Sequence, residues 1–504
     1  MKNLVDKNAA LPAILLLVLL VACTESSNGG QVDAGGKSNQ DNDAGIISDP
    51  FNHKERVDLF WGPAPDLETR MYVFDEIWET LAEEYPGFTV SELDWDEVRS
   101  TYRPQMELAT SYGRFYAVLS HMVAELRDSR VFISSDYICG QLHYHPRQAE
   151  RPPFFHLWDK TSVIGACATS MPDDRLLVYS TEAGNPAGLE PGDFILGYDG
   201  RTWRQNLEII DREQMPVCGL NRTVDSAYDY NRMNVAVNNA HLFQSMEVLK
   251  KGASSPESIN TDRLIGYESD FICSDQVGVD AVDPPYTSFS DLSYSPDASW
   301  GILSGTNIGY ICNFNSSYLY TAVEKLLDTD GLIIDQRLSW GSSSFGAALS
   351  MLFNETHDQV IGYVKRLNED DYFKVNFEGV EWRNLLADVD KNTFYDHPIA
   401  VLQGTKAASG GDEFPYYMSL HPYARRFGRV TNGGFLADEG TWVGEGINFT
   451  YAGRQAIGSD LNFLQEDDVT PEEQVWLDPD DVANGIDTVV EAALAWIEEE
   501  NSNK

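Results

Sequence analysis

The sequence predicts a multi-domain α/β (α+β) chain: a helical segment, then a β-rich module, then an α/β core. Three observations predict it. From Asp66 to about Leu126 apolar residues recur at spacings of three and four, the helical period. From Asp136 to about Leu249 strand-like runs alternate with Gly-, Pro- and Asp-rich turns. From Asn307 onward, buried strands alternate with amphipathic helices, the pattern of a parallel sheet. A chain of 504 residues also exceeds one ordinary core. The expected boundaries are a targeting segment at 1–22, a tether at 23–62, helices at 63–135, the β module at 136–255 and the core at 256–504.

The first residues read as a signal for export. Lys2 and Lys7 form a basic region, and Leu11 to Leu20 form an apolar run too short to span a bilayer comfortably. The run ends in Leu20-Val21-Ala22-Cys23, which resembles a bacterial lipobox. That resemblance implies cleavage before Cys23 and acylation of its thiol and of the new N-terminus, a two-signal anchor. Thr24 is not the Asp that retains such lipoproteins in an inner membrane, so an outer-membrane address is expected. Residues 24–50 are Ser, Gly, Asn, Asp and Gln with almost no apolar residues, a flexible tether.

In the helical segment Met71, Phe74, Ile77, Trp78 and Leu81 mark one buried stripe, and Pro86-Gly87 ends it. A second helix is expected from Asp94-Trp95-Asp96-Glu97-Val98, and a third from Gly113 to Leu126. In the β module Leu176 to Tyr179 and Phe194 to Tyr198 are strands. Between them lies Gly184-Asn185-Pro186-Ala187-Gly188-Leu189-Glu190-Pro191-Gly192-Asp193, with Asp199-Gly200 following. In the core, Ile308 to Phe314 and Gly331 to Arg337 are strands, each followed by a helix. A strand from Pro398 to Leu402 then enters a small-residue turn holding Ser409, and an amphipathic helix closes the chain from Asp481 to Ile497. Residues 250–300 carry Pro, Ser and Asp clusters with no clear period.

The formal net charge is -43, a field that repels nucleic acid and anionic lipid and favours cationic peptides. Five Cys remain beyond Cys23, so at most two bridges form. Cys139 with Cys167 and Cys218 with Cys273 are the expected pairs, with Cys312 a buried free thiol. No Cys-x-x-Cys or His-Glu-x-x-His stretch occurs, so neither a metal nor a cofactor is expected.

The chemistry is concentrated between Val401 and Phe435. Ser409-Gly410-Gly411-Asp412 opens a helix, and Thr431-Asn432-Gly433-Gly434 follows. A serine on a strand-to-helix turn exposes its hydroxyl beside free N–H groups of the first helical turn, as an acyl-transfer nucleophile requires. The same four residues are also what a helix cap looks like. Taken with the order of the other motifs, they resemble the serine peptidases of the C-terminal processing (tail-specific) and tricorn family. Tyr85-Pro86-Gly87-Phe88 and Asp94 to Val98 resemble that family's helical N-terminal part. The Gly184–Gly200 stretch resembles its PDZ module, which implies peptide capture with Gly188, Leu189, Gly192 and Asp193 in the binding segment.

The resemblance implies Ser409 as nucleophile, with Gly410 and Gly341 supplying the two oxyanion N–H groups. Gly341 lies in Asp335-Gln336-Arg337-Leu338-Ser339-Trp340-Gly341-Ser342, where Arg337 is expected to pair with a buried carboxylate. The lysine branch of the family places its base directly after Thr-x-Gly, but Gly434 stands there, so the chain resembles the tricorn branch. That branch takes a His from a Leu-x-Asp-Ser-His stretch. Here the stretch is Leu126-Arg127-Asp128-Ser129-Arg130, and Arg130 occupies the histidine slot. A guanidinium stays protonated and accepts no proton. The supporting acid of that branch falls on Gln465, with Glu466 next to it. Asp412, His421 or Lys406 are the alternative bases. The implied substrate is a peptide or unfolded protein. The alternative is an impaired peptidase that binds peptides or another ligand.

Overall fold

The computed structural model describes residues 53–91, 93–128, 130–135, 138, 164–217, 220, 231, 235, 239–264, 287–288, 299–312, 316–337, 346–355, 357, 359–367, 374–383, 394–435, 438–464 and 469–503. All of them lie in one unit, Phe51–Lys504. Cys23, Cys139, Cys218, Cys273, Gly341, Gln465 and Glu466 fall outside the described residues.

The N-terminal helices are α1 (His53–Phe60), α2 (Leu67–Glu84), α3 (Phe88–Ser91), α4 (Trp95–Leu108) and α5 (Tyr112–Ala124). Short polar side chains start three of them. Asp66 accepts from the Thr69 N–H at 2.9 Å, Asp94 from Glu97 at 2.9 Å and Ser111 from Arg114 at 3.1 Å. Of the stripe expected on α2, Phe74, Ile77, Trp78 and Leu81 are buried; Val73 joins them, and Met71 is only half-buried. Trp78 and Trp95 stack at 6.3 Å, and each indole N–H donates to the other's backbone carbonyl, so neither buried N–H is left unpaired. The chain then runs through Arg130 into β1 (Phe132–Ser134), which pairs antiparallel with β16 (Ile447–Ala452) of the C-terminal half. Helices and core are thereby joined by backbone hydrogen bonds.

Five antiparallel strands follow in sequential order: β2 (Ala166–Ser170), β3 (Leu176–Thr181), β4 (Phe194–Tyr198), β5 (Ser245–Leu249) and β6 (Glu257–Asn260). Helix α6 (Trp203–Glu213) connects β4 to β5. Asp199 and Gly200 both take positive φ, 53° and 68°, which turns the chain sharply after β4. The Asp199 carboxylate then accepts the N–H groups of Gln244 and Ser245 at 2.8 and 2.9 Å, fixing the start of β5. The sheet's last strand lies beyond residue 255.

The peptide-capture roles expected for Gly188, Leu189, Gly192 and Asp193 need correction. Leu189 is buried in the module's own core, held by Asn185. Asp193 is buried and takes Lys250 Nζ, the Lys251 N–H and the Glu190 N–H, each at 2.8 Å. Gly192, at φ +96°, presses on α10 (Pro479–Val482) and its flank, where an added Cβ would lie 2.8 Å from that of Ala483. Leu189, Gly192 and Asp193 are thus taken up by the turn and its docking on the C-terminal part, whereas Gly188 is exposed with open space beside it.

The core is a seven-stranded sheet in the order β18-β14-β13-β10-β9-β8-β7. Strands β9 (Ile308–Cys312), β10 (Gly331–Asp335), β13 (Ile399–Gln403), β14 (Ala424–Gly428) and β18 (Glu473–Gln474) run parallel. Strands β7 (Thr287–Ser288) and β8 (Ser299–Ile302) add an antiparallel margin, drawn from the stretch whose sequence showed no period. Alternate side chains sort to opposite faces. Leu332, Ile334, Ile399 and Val401 pack with Leu319 of α7 (Ser316–Lys325), Leu349 of α8 (Gly346–Leu352) and Phe414 of α9 (Gly410–Met418). Ile333, Ala400 and Leu402 pack on the other face with Val489, Trp496 and Ile497 of α11 (Thr488–Ser502). A small sheet of β11 (Ile361–Val364), β12 (Glu381–Arg383) and β17 (Gln455–Gly458), and the β15 (Asp438–Gly444) strand beside β16, complete the fold. Cys167 is disulfide-bonded, and Cys312 is buried and free, as expected of a thiol in a core strand. Among the described residues no helix is long and apolar enough to cross a membrane.

Candidate active site

In open α/β sheets the functional crevice lies at the carboxyl ends of parallel strands. Strand β13 ends there at Gln403, and six residues later the chain reaches Ser409 and enters α9. Ser409 sits at φ 59°, ψ -117°. A non-glycine residue held there costs about 1–3 kcal/mol, so its surroundings must impose it. The capping alternative fails, because the Ser409 side chain makes no capping hydrogen bond. Among the described residues its hydroxyl has no partner at all, and it is only half-buried. The N–H of Gly410 is likewise unpaired among the described residues, whereas Gly411 donates to Ala408 O at 2.8 Å, and Asp412 and Glu413 donate to Ser409 O at 2.9 Å. A free hydroxyl therefore stands beside one free N–H at a helix start.

The Thr431–Gly434 turn imposes the conformation. Ser409 N–H donates to Gly434 O at 3.1 Å, and Asn432 N–H donates to Ala407 O at 2.8 Å. In return the Asp412 carboxylate accepts Gly433 N–H on one oxygen at 2.8 Å and Gly434 N–H on the other at 2.9 Å. The turn is anchored behind by Thr431, whose hydroxyl accepts Val469 N–H at 3.2 Å, and by Gln403, whose amide donates to the carbonyls of Arg429 and Val469. Every member of this assembly but Ser409 and Arg429 is buried.

Residues 307–475 match the family model of Peptidase family S41. The α/β core is therefore similar to peptidase family S41. Residues 66–124, helices α2 to α5, match the Tricorn protease C1 domain. Together the two matches support a serine-type peptidase of the tail-specific and tricorn kind. The fold is shared with mature CPAF complexed with lactacystin, at a TM-score of 0.60 and 11% identity over 86% of this chain and 98% of that one. A second structure of mature CPAF gives 0.58 and 12% identity over 85% and 96%. No curated protein matches the chain.

The S41 segment contains Ser409, Gly410, Asp412 and Arg337. Arg337 does what the sequence reading expects. It is buried between Asp335, at 3.0 Å from Nε to Oδ1, and Asp487, at 3.1 and 2.7 Å through both terminal nitrogens. Burial works against its charge, but the two carboxylates outweigh it and hold its pKa well above the usual value. Asp335 also accepts from the Tyr310 hydroxyl at 2.7 Å, and Asp487 caps α11. This network fixes the end of β10.

Two alternative bases of the S41 site are corrected. His421 lies past the far end of α9, which is roughly 13 Å long at 1.5 Å per residue. Its Nδ1 accepts Tyr423 N–H at 3.1 Å, so Nε2 carries the proton and donates to Leu352 O at 2.7 Å. Burial is the main cause that pulls its pKa down to about 4. His421 is a neutral core histidine with both nitrogens engaged. Asp412 adjoins the serine, but both its oxygens serve the Gly433–Gly434 amides. Lys406 is half-buried in the turn before Ala407 and has an interaction partner. Arg130 is buried, and its N–H donates to Asp128 Oδ1 at 2.8 Å, while Asp128 Oδ2 accepts from the Tyr85 hydroxyl at 2.8 Å. Glu413, which the sequence reading did not single out, is buried one turn into α9 and accepts from the Tyr363 hydroxyl at 2.8 Å. Its signal was an acidic residue inside an otherwise apolar run.

Proposed function

We propose that the chain is a lipid-anchored endopeptidase that cleaves peptides or unfolded protein slowly through an acyl-enzyme on Ser409. The observation that carries this is the Ser409 hydroxyl, on a strained backbone and without a partner among the described residues, beside a Gly410 N–H equally unpaired among them. In the reaction the Ser409 Oγ bonds to the scissile carbonyl carbon. The carbonyl oxygen becomes an oxyanion facing the Gly410 N–H. The C–N bond then breaks, the amine leaves with a proton, and water hydrolyses the ester. The slow rate follows from the base. A guanidinium at Arg130 accepts no proton, and His421 and Asp412 are engaged elsewhere. An oxyanion hole without a base still retains catalysis of about 10³–10⁴ over water.

The experiment is Arg130→His. A histidine in this slot supplies a general base, and hydrolysis of an unfolded protein rises about 100-fold. A folded variant with no gain shows that the slot is misassigned. Arg130 also favours a second reading, a peptide-binding protein with vestigial chemistry, because a buried guanidinium suits a peptide carboxylate. Hydrolysis that depends on Ser409 excludes that reading.

The anchor rests on Leu20-Val21-Ala22-Cys23, which favours an exported, outer-membrane lipoprotein. Cys23→Ser releases the protein from the membrane fraction or blocks its processing. A variant that still carries an acyl chain rules the lipobox out.

A further inference from the structure

The Asp412 carboxylate is fully buried, ionisable and uninvolved in the transfer of any proton described above. We infer that Asp412 is the positioning residue that locks Ser409 and Gly410 into their reactive geometry, by clamping the Gly433–Gly434 amides against the serine turn. The inference rests on the reading of Ser409 as nucleophile.

The hydrogen bonds form a closed ring. Ser409 N–H holds Gly434 O at 3.1 Å, Gly434 N–H holds Asp412 Oδ2 at 2.9 Å, and Asp412 N–H returns to Ser409 O at 2.9 Å. Gly433 N–H adds a second tie to Oδ1 at 2.8 Å. The ring spans two segments 21 and 22 residues apart, so nothing local substitutes for it. Its geometry is demanding at both ends. Gly433 takes φ +80°, which puts two successive N–H groups on one carboxylate, and Ser409 takes φ 59°. A carboxylate suits the task because it offers acceptors only, one per amide, and stands in the first turn of α9, where the helix dipole favours negative charge. An amide in its place offers one acceptor and turns an NH₂ on the other N–H.

The consequence falls on the chemistry and not on binding. The direction of the Gly410 N–H follows from ψ of Ser409, and the direction of the hydroxyl follows from its φ. With the ring open, the strained turn relaxes, and both groups leave the position of the reacting carbonyl. A displacement of about 1 Å there costs about 100-fold in rate. Asp412 touches no substrate in this arrangement, so the loss appears in kcat with KM unchanged. The turn stays tied to Ala407 through Asn432 and to Val469 through Thr431, so the fold survives.

The test compares Asp412→Asn and Asp412→Glu with the full-length wild type, using hydrolysis of an unfolded protein and amide hydrogen exchange of peptides covering 431–435. Asp412→Asn is expected to lower kcat about 100-fold at constant KM, and to speed the exchange of the Gly433 and Gly434 amides. Asp412→Glu keeps the charge and both acceptors, and recovers part of kcat and of the protection. Unchanged exchange in Asp412→Asn overturns the clamp whatever the activity. Faster exchange with unchanged kcat overturns its role in positioning. A wild type with no Ser409-dependent hydrolysis overturns the reading of Ser409 instead, and the exchange measurement still decides whether the clamp exists.

Discussion

Ser409→Ala is expected to stop acyl-enzyme formation and to lower the hydrolysis of unfolded protein to the residue that binding and the oxyanion donor sustain. The substitution removes the atom that forms the acyl-enzyme, so only direct attack by water remains. Its effect on stability is small, because the hydroxyl has no hydrogen bond among the described residues to lose. The backbone strain at φ 59° is the same for Ala as for Ser. The variant is therefore a clean probe: equal thermal midpoint, no acyl-enzyme. Undiminished activity in purified Ser409→Ala places the nucleophile elsewhere. An absence of activity in the wild type as well leaves the peptide-binding reading, in which the same fold presents a vestigial site.

The second large effect is on stability. Arg337→Leu strips the shared partner from Asp335 and Asp487, which are both fully or almost fully buried. Breaking a buried ion pair from one side costs about 3–5 kcal/mol, because a charge is left without compensation. Here two are left, and one of them caps α11. The urea midpoint falls accordingly. Replacing all three, as Arg337→Leu with Asp335→Asn and Asp487→Asn, recovers much of the loss. The charges are then gone, Asn still caps a helix, and the Tyr310 hydroxyl keeps an acceptor. A midpoint in the single variant within about 0.5 kcal/mol of wild type, the ordinary range for surface changes, contradicts this account.

The sequence was most legible where the argument was local. Most of the α2 stripe and the break at Pro86-Gly87 depend on residues within a turn of each other, and the structure keeps them. The serine turn was legible for the same reason: strand, small residues and helix follow within a dozen positions. Arg337 was legible because an arginine ending a buried strand has to find a carboxylate. The misreadings concern side chains whose partners are remote. His421 was chosen for nearness in sequence, and its Nε2 partner is 69 residues away. Asp193 and Gly192 carried a motif, but Lys250, Lys251 and Ala483 decide what they touch.

By itself, then, the sequence carried the resemblance to a serine peptidase family and pointed to Ser409 as the candidate nucleophile. Periodicity, turn chemistry and short motifs are properties of contiguous residues, and they survive without any knowledge of packing. Tertiary structure decided the protonation and purpose of the polar groups around that residue. Whether a carboxylate is a base or a clamp depends on which donors surround it, and for Asp412 those donors arrive from another segment, on the Gly433–Gly434 turn. Whether an imidazole can take a proton depends on burial and on both its nitrogens, and for His421 the fold engages both.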